Sequence, residues 1–106
     1  MFAAGANAPD LLNAELLHVV RRYEQRRVID SERSRRAIAD LIDLPIARYP
    51  TMVLLERAWD LRQNMSAYDA MYAALAQALG APLVTTDARL ALAARTHAGI
   101  EVVLLA

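Results

Sequence analysis

The sequence predicts an α/β layer fold on a parallel sheet, and three observations carry that prediction. After residue 44, helical and extended segments alternate, which is the order a parallel sheet with covering helices requires. The run Pro82 to Thr85 is too short and too uniformly apolar for a half-exposed strand. A last run, Glu101 to Leu105 (EVVLL), is rich in β-branched and apolar residues and reads as another strand.

Each element follows from its own residues. Residues 1–8 (MFAAGANA) are small and apolar, and read as a fraying start or a short strand. Pro9 suits the first turn of a helix. From Asp10, apolar residues at Leu12, Leu16, Val19, Val20 and Tyr23 give the spacing of an amphipathic helix that runs to about Arg26. Val28 and Ile29 link it to a second helix, capped by Asp30 or Ser31. Ala37, Ile38, Leu41 and Ile42 form its apolar face, Arg33, Arg35 and Arg36 its solvated one, and Leu44-Pro45 ends it. Ile46 to Tyr49 is a short strand closed by Pro50. Thr51 then caps a third helix to about Gln63, with Leu54, Leu55, Ala58 and Leu61 inward and Trp59 as its largest side chain. Ser66 caps a fourth helix, Ala67 to Leu79, ended by Gly80. A fifth helix spans Asp87 to Ala94.

A chain of 106 residues suffices for one domain and one modest core. With no internal repeat or low-complexity linker, a single domain over residues 1–106 is expected. A hydrophobic content of 57% argues against disorder. Charges interrupt every apolar segment well before the roughly 18 residues a spanning helix needs. No cysteine is present, which excludes disulfides, thiol catalysis and Cys-type zinc sites. No secretory leader is read in residues 1–14, and a cytoplasmic location is expected. Twelve basic and twelve acidic residues cancel, which does not suggest a general polyanion binder. All the basic residues are Arg, which pairs readily with phosphate. A solvated helix face is nevertheless the default for Arg21, Arg22, Arg26 and Arg27.

The stretch Asn64 to Leu90 points to chemistry. It puts Asp69 in the first turn of a helix and Asp87 directly after a buried strand, at the carboxyl edge where open α/β sheets bind ligands. With Glu15, these acids form a divalent-metal set if the helices begin at one sheet edge. Hard cations take carboxylate oxygens. Each acid also has a structural reading. Ser66-x-x-Asp69 resembles a capping box, Asp87 can cap a helix, and Glu15 can pair with Arg21 or Arg22. His18 and His97 have no partner at ligand spacing and read as incidental. Trp59, Tyr68 and Tyr72 read as core rather than as base-stacking platforms.

The segments PDLLNAELLHVVRR, LPIARYP and LLERAWDLRQNMSAYDAMYAALAQALGAPLVTTDARL resemble PIN-domain ribonucleases, in particular the VapC toxins of bacterial toxin–antitoxin pairs. The resemblance runs from about Ala8 to Val103, and the paired signals YDA-x-Y-x-ALA and L-x-TTD-x-RL carry it. It implies a three-layer α/β/α sandwich around a parallel sheet, with four acids gathered about Mg²⁺ or Mn²⁺. Matched by motif, the acids here are Glu15, Asp69 and Asp87. Thr86 is a supporting oxygen near the metal, and Asn64, in the loop before the third acid, touches RNA or orders that acid. The implied activity is endonucleolytic RNA cleavage, restrained by a cognate antitoxin, in a homodimer.

One family feature has no counterpart here: the opening apolar strand with its Asp, in a pattern like V-D-A-S. The resemblance therefore implies an amino-terminally truncated domain whose site is one ligand short and whose sheet lacks a middle strand. Buried unpaired backbone groups cost about 1–3 kcal/mol each, against a total stability of roughly 5–15 kcal/mol. A fragment of a longer toxin, or a truncated relative closed by self-association through exposed strand edges, both fit. So does a catalytically inactive module in which an antitoxin Arg meets the remaining acids.

Overall fold

The computed structural model describes residues 6–106, so the expectation for residues 1–5 lies outside it. The chain forms two compact units, one ending at Tyr49 and one beginning at Pro50.

The first unit is strand β1 (Ala6–Pro9), helices α1 (Leu11–Gln25) and α2 (Ser31–Ile42), and strand β2 (Ile46–Tyr49). The strands pair in parallel, with Ala6 opposite Ile46 and Pro9 opposite Tyr49. Pro9 was expected in a helix but is the last residue of β1. It has no N–H to donate, so it suits a strand end. The ladder goes on through Asp10, whose N–H donates to the Tyr49 carbonyl at 2.8 Å. Helix α1 ends in a paired turn, with Val28 N–H donating to Tyr23 O and Arg27 N–H to Glu24 O. This turn holds Arg27 at φ 60, in the left-handed region. Of the two caps expected for α2, Asp30 is the one used, accepting from Arg33 N–H at 2.7 Å. Ala37, Ile38 and Leu41 are half-buried while Arg33, Arg35 and Arg36 are exposed, as the pattern predicts; Ile42 departs from it and is exposed. Tyr23, expected on the inward stripe of α1, is also exposed.

The second unit is a 3₁₀ turn (Thr51–Leu54), helices α3 (Leu55–Asp60) and α4 (Ala67–Leu79), strand β3 (Leu83–Thr85), helix α5 (Ala88–Ala93), a π turn (Ala94–Ala98) and strand β4 (Val102–Leu104). Strands β3 and β4 pair in parallel, Leu83 opposite Val102 and Thr85 opposite Leu104. Leu83 N–H to Glu101 O and Leu105 N–H to Thr85 O extend the β4 side of this ladder to the bounds read from sequence, whereas β3 begins at Leu83 rather than Pro82 and its Val84 is exposed rather than buried. Helix α4 also matches its expected bounds. Ser66 Oγ accepts from Asp69 N–H at 3.1 Å, and Gly80 at φ 61 closes the other end.

The third helix departs from expectation. Thr51 lies inside a 3₁₀ turn rather than at a helix cap, and regular α-helix stops at Asp60. Beyond it, Leu61, Arg62 and Asn64 donate to carbonyls three residues back, so the chain tightens into turns. The inward face is Leu54, Ala58 and Leu61, at the i, i+4, i+7 spacing. Leu55 and Trp59 each lie one residue, about 100° of helix, off that face. They are exposed, not core. Tyr68 is exposed as well, whereas Tyr72 packs against the core.

The core of this unit is built largely from small residues. Ala70, Ala73, Ala74, Ala91 and Ala94 are fully buried, and Ala76, Leu83 and Val102 join α4, β3, α5 and β4 in one cluster. Among the described residues pairing is parallel throughout, as expected, in two two-stranded sheets, β1 with β2 and β3 with β4. Among the described residues no strand bridges β1 and β3. No helix among them is long and apolar enough to cross a membrane.

Candidate active site

An open cavity of about 630 Å³ lies in the second unit, within the range usual for ligand sites. Asn64, Met65 and Ser66, from the turns after α3, form one side. Asp69, in the first turn of α4, is half-buried beside them. Asp87, between β3 and α5, enters from the carboxyl edge of the strand pair. Arg89, on α5, and Thr96 and His97, in the π turn, line it as well.

Local bonding decides how each acid is held. The side chain of Asp87 caps α5, with Oδ1 accepting from Arg89 N–H at 2.9 Å and from Leu90 N–H at 3.1 Å. Its own N–H donates to Thr85 Oγ1 at 3.1 Å. The structural reading of Asp87 is therefore realised through one oxygen, and Oδ2 is left for another partner. Asp69 is different. Ser66 caps the helix, but among the described residues no return bond from the Asp69 carboxylate to Ser66 N–H completes a capping box. Asp69 adds a negative charge where the helix dipole favours one, and both of its oxygens remain available to the cavity.

The other expected site residues fall as follows. Asn64 lines the cavity with the two aspartates. Thr86 does not line it, and the threonine that touches Asp87 is Thr85. Glu15 is half-buried on the second turn of α1, in the first unit, and is not without a partner. Among the described residues no group of three His, Cys, Asp or Glu side chains is gathered as a metal site. The carboxylates brought to one cavity are thus Asp69 and Asp87. Together with the Asn64 amide and the Ser66 and Thr96 hydroxyls they make a set of hard oxygen donors. That set fits a small divalent cation that keeps several of its waters.

Arg89 and Thr96 escaped the sequence reading, and His97, read there as incidental, lines the cavity too. Arg89 stands within the TTDARL motif, where only Thr86 and the acid carried a chemical expectation. Thr96 and His97 reach the cavity through the π turn, for which the sequence holds no signal.

Comparison with known proteins identifies the family. The family model described as "PIN domain" matches residues 7–96. The "VapC ribonuclease Mb0985" of Mycobacterium bovis is 41% identical over 97 residues, covering 92% of this chain and 76% of the relative. "Ribonuclease VapC1" of Mycobacterium tuberculosis is 47% identical over 89 residues, 83% of this chain and 67% of the relative. "Ribonuclease VapC12" of the same organism is 33% identical over 97 residues, 92% and 75% respectively. An acid at the head of α4 and another at the carboxyl end of β3, in a chain this similar to those relatives, make it a member of the PIN domain family, of the VapC-like kind.

Proposed function

We propose that this chain is a divalent-metal-dependent endoribonuclease, the toxin of a cytoplasmic toxin–antitoxin pair, with Asp69, Asp87 and Glu15 as its acids. One observation carries the reading: Asp69 and Asp87, eighteen positions apart in sequence, line one cavity in a chain of this family. The names of its relatives, all ribonucleases, supply the reaction class.

The chain's own contribution is positional. Asp87 is fixed through Oδ1 to two backbone N–H groups, so Oδ2 is presented without loss of side-chain freedom on binding. Asp69 and Oδ2 of Asp87 would hold Mg²⁺ or Mn²⁺, with Glu15 completing the set. When bound, the cation activates water for attack on phosphorus and stabilises the leaving oxygen. Asn64 orients the RNA or Asp69, and Thr86, beside Asp87, supports the acid end with its hydroxyl. The exposed apolar face of the 3₁₀ turn and α3, formed by Met52, Leu55 and Trp59 at helical spacing, supports a homodimer.

A second reading draws on the same cavity. Among the described residues no third acid is gathered with Asp69 and Asp87, and on this reading the domain would bind its antitoxin, an antitoxin Arg meeting the two aspartates, without cutting RNA. One experiment separates the two. The full chain is incubated with single-stranded RNA in Mn²⁺, in Mg²⁺ and in EDTA. Cleavage that needs metal and is lost in Asp69→Asn supports the enzyme. No cleavage at any metal concentration, with antitoxin still bound, supports the module.

A further inference from the structure

The cavity is not uniformly acidic. Arg89 and His97 also line it, both exposed, and among the described residues neither side chain has a hydrogen-bond or ion-pair partner. An Arg that shares a cavity with two carboxylates and pairs with neither is not there to neutralise them.

The backbone beneath these residues is held in place. The π turn Ala94–Ala98 departs from regular helix, and such turns are rare and recur at functional sites. An α-helical turn advances a residue four positions on by about 40°, and the wider π turn rotates it back, so Arg89, Ala93 and His97 stay in line on the cavity wall. Two bonds anchor the turn: Gln77 Nε2 donates to Ala98 O at 2.9 Å, and Arg95 Nη2 to Val102 O at 3.2 Å.

A polyanionic strand that enters a cleft bearing two aspartates is repelled unless cations hold its backbone. Guanidinium grips phosphate oxygens bidentately, and an imidazole N–H donates to them. We propose that Arg89 and His97 form the phosphate-holding wall of this cleft, gripping the RNA at a phosphodiester next to the one the two acids serve. The proposal rests on the ribonuclease reading for the identity of the strand. It assigns binding to residues that the metal does not need.

The test separates the two. Anisotropy of a labelled single-stranded RNA is titrated with the full chain in EDTA, where cleavage is off, and Mn²⁺ binding is measured by calorimetry without RNA. Arg89→Ala and His97→Ala should each weaken RNA binding about tenfold. Arg89→Ala should also reduce the salt slope by about 0.7, one phosphate contact to a single strand. His97→Lys should restore binding, and Mn²⁺ affinity should not change in any variant. RNA affinity unmoved in both alanine variants overturns the proposal. So does a change in Mn²⁺ affinity alone, which would make Arg89 a partner of the acids, and so does an unmutated chain that binds no RNA in EDTA. None of these touches the ribonuclease reading, which stands or falls on metal-dependent cleavage by the unmutated chain. If an alanine variant melts early, Arg89→Gln and His97→Gln take its place.

Discussion

On the proposed reading Asp87 does two jobs, and one pair of substitutions separates them. Its Oδ1 caps α5 through two N–H groups, and its Oδ2 is assigned to the metal. Asparagine keeps a carbonyl oxygen in the Oδ1 position and is as good a cap as aspartate, but it removes the charge that a hard cation needs. Asp87→Asn should therefore leave stability within about 0.5 kcal/mol while abolishing Mn²⁺ binding and cleavage. Alanine removes both roles. Losing the cap costs about 1 kcal/mol, up to ~2, and α5 has only six residues over which to absorb the loss. In a chain of this size that is a fall in Tm of about 4–8 °C per kcal/mol. Thermal melts followed by circular dichroism, Mn²⁺ calorimetry and an RNA cleavage assay on the three proteins are sufficient. Cleavage at the unmutated rate by Asp87→Asn would refute the site reading and leave Asp87 a cap alone. Equal stability of the asparagine and alanine variants would refute the capping argument.

Four further substitutions test local conformation and packing. Gly80 sits at φ 61 with nothing near an added Cβ, so Gly80→Ala should cost about 1 kcal/mol from backbone conformation alone, read in a urea melt. Arg27 occupies the same region at φ 60 without being glycine; Arg27→Gly should gain about 0.5 kcal/mol, the relief of strain exceeding the added chain entropy, and a loss of stability would contradict it. Leu54 is 1% exposed and Leu55 is 50% exposed. Leu54→Ala should cost ~2–5 kcal/mol and Leu55→Ala under ~1 kcal/mol, and similar midpoints for the two would show the inward face of α3 to be misassigned.

Elements whose ends are set by local chemistry were legible in the sequence. The cap of α4 is Ser66, its stop is Gly80, and both act within a single turn. Asp30 likewise fixes the start of α2. Where tertiary packing decides, the sequence was less informative. The helical pattern of residues 51–63 holds equally for an α-helix and for the series of 3₁₀ and α turns that forms, and only burial shows Trp59 outside, beneath the Arg62 guanidinium at 4.3 Å from its ring centroid. The two aspartates could be named from their motifs, but not their meeting, which depends on how α4 lies against β3 and α5. His97 was the least legible. Its place in the cavity depends on a π turn, and no residue type or spacing announces one.

The alanines decide how firmly that meeting is held. Read as composition, an Ala-rich chain needs no structural explanation. Yet Ala70, Ala73 and Ala74 on α4, and Ala91 and Ala94 beyond β3, are fully buried. The cluster of Ala76, Leu83, Ala91, Ala94 and Val102 ties the helix that carries Asp69 to the strand and helix that flank Asp87. Methyl-sized side chains let these elements approach closely and leave few rotamers to choose among. The separation of the two carboxylates is then set by backbone packing rather than by flexible side chains, which is the condition for a cation site to be formed before its cation arrives. On the proposed reading, a cation held by Asp69 and Asp87 would depend on that rigidity, because the two acids reach the cavity from different elements.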